Sequence, residues 1–313
     1  MKAVAKELIR FTREYSHAGF LTAMSVLLIG LVWFNFHYDF EDSVIDSYTG
    51  SWLKGLWMFL YEGIPYLITA GLLAIFGLKK DWINKPGFWI HFIVGFGVLA
   101  FDRSWYIWTL VRDYFDPEEV RFIYKNIASA KSLVSAVLPL IIIYLLLEKR
   151  GEREFYGLNF RGFIAKPYFG ILAVALIFIF IGGFFGDLQD YYPRYLKSGG
   201  EAFALSVGIP EWQAVAIYEF FYGLDFISTE LIFRGFLILG MSRYLGPYVV
   251  YPMVVSYCVL HFGKPLTEAV SSIFGGYILG IIALYHRNIW GGIIIHVGVA
   301  WGMEIIGYLH RIL

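Results

Sequence analysis

Residues 218–240, YEFFYGLDFISTELIFRGFLILG, form an apolar run long enough to cross a bilayer, yet they include Glu219, Asp225, Glu230 and Arg234. A charge at mid-bilayer costs at least roughly 2.5–3.5 kcal/mol, so ionisable residues at that depth need partners and mark functional sites. Glu230 and Arg234 are four residues apart, which stacks them on one helix face. Two later apolar stretches each bring a histidine, His261 and His296. The expectation is three helices that build a polar site inside a membrane.

The rest of the chain agrees with that setting. Hydrophobic residues make up 58% of it and charged residues 16%, where soluble domains are about half apolar and about a quarter charged. Aromatic residues reach 20%, which suits interfacial belts of Trp and Tyr; Trp52, Trp57 and Trp105 read as such anchors. The class expected is an all-α, polytopic transmembrane helix bundle. A formal net charge of +0 gives no basic surface for nucleic acid. Cys258 is the single cysteine, so no internal disulfide forms. Lys2, Lys6, Arg10 and Arg13 precede the first apolar run, 19–36. That run is long and no small-x-small cleavage site follows, which favours a retained span over a removed signal peptide.

Windows of about 20 apolar residues place spans near 19–36, 56–78, 87–111, 131–147, 168–186, 213–241, 247–262, 268–285 and 289–309. Asp102 and Arg103 interrupt the third and the seventh is short, so eight or nine spans are expected. Lys and Arg concentrate at the N-terminus, at Lys79, Lys80 and Lys85, in EKRGERE (148–154) with Arg161 and Lys166, and at Arg243 and Arg287. This bias puts the N-terminus in the cytoplasm of a multi-pass protein of the inner or plasma membrane. The polar stretch 148–167 reads as a cytoplasmic linker. It separates N-terminal helices 1–147, with few buried ionisable groups and no role legible in the residues, from a core, 168–313, that carries the chemistry.

Depth follows from the helical rise. With Met241, Gly246 and Asn288 as inner ends, Glu230 lies roughly 17 Å deep, Arg234 roughly 11 Å, His261 roughly 22 Å and His296 roughly 12 Å. Four polar groups from three helices thus fall in one half-membrane band. Each has a plainer reading alone: Glu230 with Arg234 as a structural ion pair, His261 as a helix end, His296 as part of a close helix crossing beside Gly298 and Gly302. Together they argue for a site. A carboxylate and a histidine can hold and deprotonate a water, and a second histidine can donate to an oxyanion. No cofactor is required. Zinc at Glu230, His261 and His296 is the weaker alternative, because no HExxH signature is present. Lys264 and Glu268, also four apart, read as a solvated pair, and His286 and His310 as interface residues.

The order Thr229, Glu230, Arg234, Gly235, then Tyr257 and His261, then His296 resembles the CPBP family of CAAX-processing and bacteriocin-processing intramembrane proteases. Its marks are EExxxR, FxxxH and HxxxN or HxxxD, and the likeness covers roughly residues 150–313. It implies an intramembrane endopeptidase acting on a peptide or protein substrate in or at the lipid bilayer. By match, Glu230 is the second motif glutamate, Arg234 the motif arginine, His261 the water-binding histidine and His296 the oxyanion histidine.

Three positions depart from the pattern. Thr229 replaces the first glutamate, Tyr257 replaces a Phe, and Ala300 replaces Asn or Asp. A lost general base costs about 10²–10⁴ in rate and a lost oxyanion donor about 10²–10³. Helical spacing offers substitutes: Asp225 is four residues before Thr229, and Glu304 is four after Ala300. By rise both lie roughly 23–24 Å from the inner end, near the depth of His261. A relocated carboxylate beside His261 is therefore expected. The competing reading is an inactive family member that binds or scaffolds membrane partners. A proton-coupled transporter is disfavoured by the lack of an inverted repeat.

Overall fold

The computed structural model describes residues 2–148, 155–160, 163–184 and 186–312. Most of the charge expected in the linker, residues 149–154 and Arg161, lies outside the described residues. The described residues are helical throughout, with no strand: α1 (Lys2–Tyr15), α2 (Ala18–Tyr38), α3 (Trp52–Ile75), α4 (Pro86–Ser104), α5 (Pro117–Ala130), α6 (Leu138–Leu147), α7 (Lys166–Gly182), α8 (Gly186–Tyr191), α9 (Gly200–Val207), α10 (Glu211–Glu230), α11 (Ser242–Leu245), α12 (Val250–Leu260), α13 (Leu266–His286) and α14 (Trp290–Ile312).

Among the described residues, five helices are long and apolar enough to cross a membrane: α2, α3, the continuous stretch Pro117–Leu147 that joins α5 to α6, α13 and α14. The remaining expected spans fall short in length or polarity. Helix α4 closes on Asp102 and Arg103, α7 has 17 residues, α10 carries four carboxylates, and α12 has 11 residues.

Helix α12 is the centre of the packing, with α3 on one side and α13 on another. Residues 250–259 are all buried, as expected of a helix that is apolar around its whole circumference. Helix α10 packs on α5, α9 and α14, and α14 packs on α7. Helices from before residue 148 therefore pack directly into those after residue 167.

Winding changes after Glu230. Residues Leu231–Gly240 form a π-helix, and all ten are buried. A π-helix closes i→i+5 bonds and is rare outside short functional bulges. Apolar periodicity alone reads 218–240 as one α-helix; the wider turn begins where the charged pair begins.

The N-terminal half contains more buried ionisable groups than expected: Glu41, Glu62 and His91 are each at most 5% exposed. Arg103 pairs with Glu41 from the π turn Phe40–Ile45 and, at 3.1 Å, with Glu62 of α3. A second cluster joins the halves at Glu148, which pairs with Arg243, lies 3.5 Å from His91 Nε2 and accepts the Tyr156 hydroxyl at 3.2 Å. Burial pushes the Glu148 carboxyl up. Hydrogen bonds from His91 and Arg243 outweigh this and hold it down at about 2.

Candidate active site

Arg234 and Glu230 project from adjacent turns across the α-to-π junction and are both fully buried. Arg234 Nη1 lies 3.0 Å from Glu230 Oε1. The same carboxylate oxygen lies 3.0 Å from His296 Nδ1, on α14. A carboxylate only accepts, so Nδ1–H donates and Nε2 keeps the lone pair. Tyr257, on α12, places its hydroxyl 3.3 Å from that Nε2, and the Arg234 guanidinium carbon lies 4.1 Å from the centre of the Tyr257 ring. A Cβ at Gly292 would fall 2.1 Å from Glu230 Oε2, so the absence of a side chain there admits the carboxylate.

His261 caps the C-terminal end of α12, where Gly263 and Pro265 stop the helix. Its Nδ1 donates to the Tyr257 carbonyl at 2.7 Å. That bond fixes the neutral tautomer with a free lone pair on Nε2, the form a general base needs.

His261 and His296 both line each of two adjacent cavities. One, of about 230 Å³, is polar and is lined by Asp102, Ser132, Asp225 and Thr229. The other, of about 210 Å³, is largely apolar and is lined by Ile179, Tyr222, Tyr257, Leu279, Val299 and Ala300. Both also contain Phe226 and Lys264. The first has room for several waters.

Asp225 faces the polar cavity and accepts the Ser132 hydroxyl at 2.7 Å. Thr229 turns its hydroxyl back onto the Asp225 carbonyl at 3.2 Å. Glu230 lines neither cavity; its Oε1 is taken up by Arg234 and His296, while its Oε2 is buried without a hydrogen-bond partner.

Glu304 is elsewhere. Its two oxygens accept the backbone N–H groups of Arg194 and Tyr195 at 2.7 and 3.1 Å. It lines a separate groove with Trp212, Phe220 and Trp301. Eight residues from His296 correspond to about 80° around the helix, enough to aim it at a different neighbour. The idea that Glu304 stands beside His261 is corrected accordingly.

The solvated reading of Lys264 and Glu268 is also corrected. Their 2.6 Å pair sits at the cavities, and Glu268, 8% exposed, accepts the Tyr192 hydroxyl at 2.8 Å as well. Among the described residues, no group of three or more His, Cys, Asp or Glu side chains that could hold a metal ion is found.

Sequence reasoning missed the residues that reach the site from the N-terminal half. Asn35 Nδ2 donates to the Phe262 carbonyl at 3.2 Å, and Arg103 Nη1 to the Leu260 carbonyl at 3.3 Å. A Cβ at Gly263 would lie 3.2 Å from Glu41 Oε1. The turn that carries His261 is thus gripped from α2, the turn after it, and α4. Asp102 and Arg103, which marked the third span as broken, were the available signal.

No curated protein and no solved structure matches the chain. A family model described as Type II CAAX prenyl endopeptidase Rce1-like matches residues 210–302, the stretch that holds Asp225, Glu230, Arg234, Tyr257, His261 and His296. Over that segment, somewhat under a third of its length, the chain is similar to the CAAX prenyl endopeptidases of the Rce1-like type.

Proposed function

We propose that this protein is an intramembrane endopeptidase that hydrolyses a peptide bond of a membrane-associated substrate. The observation that supports the reading is the shared polar cavity: Asp225 and His261 both line it, His261 with its Nδ1 committed to the Tyr257 carbonyl, inside the family-matched segment. Asp225 takes the part of the carboxylate missing at Thr229. It and His261 hold a water and accept its proton as oxygen attacks the scissile carbonyl. The developing oxyanion is met at the His296 corner. Glu230 and Arg234 act one step back, by fixing the orientation of that imidazole. The apolar cavity takes the hydrophobic side chains of the substrate. The family description points to a prenylated CAAX peptide as the substrate class. The distribution of Lys and Arg favours a cytoplasmic N-terminus, in a bundle of up to eight or nine spans.

The test uses purified protein in nanodiscs with an internally quenched farnesylated CAAX peptide and, in parallel, host membrane proteins. New C-terminal ends that vanish in Asp225→Asn and in His261→Ala support hydrolysis here. Cleavage that survives both substitutions, or identical products with and without the protein, overturns it. A second reading, an inactive family member that binds the same peptides, is favoured by Thr229 and Ala300. It requires wild type to retain the peptide uncut.

A further inference from the structure

Two of the departures from the family pattern, Tyr257 and Ala300, line the same apolar cavity, and His296 lines it with them. One removes a polar side chain and the other adds a hydroxyl. The bond between His296 Nδ1–H and Glu230 leaves Nε2 as an acceptor. Neutral His296 therefore has no proton to offer at that corner. The nearest hydroxyl is that of Tyr257, 3.3 Å from Nε2. This is longer than a strong hydroxyl bond, so the O–H is held in place but is free to turn. The guanidinium of Arg234 lies against the ring face at 4.1 Å. That contact fixes the ring, and its positive charge favours negative charge building nearby.

We propose that Tyr257 is a catalytic residue: its hydroxyl donates the hydrogen bond that stabilises the oxyanion, in place of the side chain absent at Ala300. This rests on the hydrolytic reading above and names a group at the same site. As water adds to the carbonyl, the C=O π pair moves onto oxygen and the Tyr257 O–H turns from Nε2 toward it. No bond to Tyr257 forms or breaks, and the phenol keeps its proton. Glu230 and His296 hold the hydroxyl in register between turnovers.

The test compares wild type, Tyr257→Phe, Ala300→Asn and the double variant on the farnesylated CAAX peptide. Phe keeps the ring and its packing. The expected result is a fall in kcat of about 10²–10³-fold in Tyr257→Phe with little change in KM. The double variant should regain about tenfold or more, because the amide at position 300 supplies a donor again. A Tyr257→Phe rate within about twofold of wild type, or a loss confined to KM, overturns the proposal while leaving the peptidase reading intact. A wild type that leaves the peptide uncut overturns both. A second measurement does not depend on turnover: carbethoxylation of His296 by diethyl pyrocarbonate, read by mass spectrometry, should speed up in Tyr257→Phe because Nε2 loses its partner. Unchanged labelling overturns the proposal as well.

Discussion

The Arg103 guanidinium donates to the carbonyl of Leu260, the residue just before His261, across 157 positions of sequence. The same side chain neutralises Glu41 and Glu62. Removing it leaves two buried carboxylates uncompensated, which typically costs about 3–5 kcal/mol. Arg103→Ala should therefore lower the thermal midpoint of the purified protein sharply, and Glu62→Gln in that background should recover part of the loss. Asn35→Ala removes the companion bond to Phe262 and should cost about 1 kcal/mol or somewhat more. Differential scanning fluorimetry in one detergent checks all three. An Arg103→Ala melt equal to wild type would remove the clamp from the account.

Gly292 is the position where size matters most for the buried triad. A Cβ placed 2.1 Å from Glu230 Oε2 must displace the carboxylate or the helix. Gly292→Ala should destabilise by about 1–3 kcal/mol and loosen the bond between Glu230 and His296. Peptide cleavage should drop together with the melting midpoint. Glu230→Gln keeps the volume and loses the charge, which separates packing from electrostatics when both variants are measured.

Glu304 should behave as a structural residue. It takes up two backbone N–H groups of the segment after Pro193. Loss of an acceptor from buried donors costs about 1–3 kcal/mol each. Glu304→Ala should melt early yet retain its kcat at temperatures where it stays folded. A kcat loss of about 10²-fold with an unchanged melt would return Glu304 to the chemistry.

Glu148 gives the stability a pH dependence of known sign. Its folded value of about 2 lies below the ordinary 4.5, despite burial, because His91 and Arg243 hydrogen-bond the charged form. Its contribution is complete above about pH 4.5 and is lost as pH falls toward 2. The melting difference between wild type and Glu148→Gln should be largest at pH 6–7 and should close progressively below about pH 4.5. A difference that grows on acidification would contradict the pairing.

Much of the site could be read from the residues. Spacing put Glu230 and Arg234 on one face, and the helical rise put His296 in the same half-membrane band; in the structure Arg234 Nη1 and His296 Nδ1 each lie 3.0 Å from Glu230 Oε1. Asp225 was legible one turn before Thr229. Three things were not. The π winding after Glu230 leaves no mark in apolar periodicity, because every residue from 231 to 240 is buried and no solvent face reveals the pitch. Asn35, Arg103 and Ser132 act through contacts that span 93 to 227 positions, a distance local patterns do not encode. Lys264 with Glu268 looked solvated because i,i+4 pairs usually are; only the placement of α13 against Tyr192 turns the pair inward.

The two imidazoles border both a chamber rich in polar groups and one lined mainly by apolar side chains. A guest that fills the oily chamber has no need to drain the wet one. For a hydrolase working below the lipid headgroups this uncouples two demands that otherwise conflict: stripping the amide of its hydration while keeping the attacking molecule supplied. Blockers built to fill only the oily side should therefore compete with the peptide and leave the nucleophile in place.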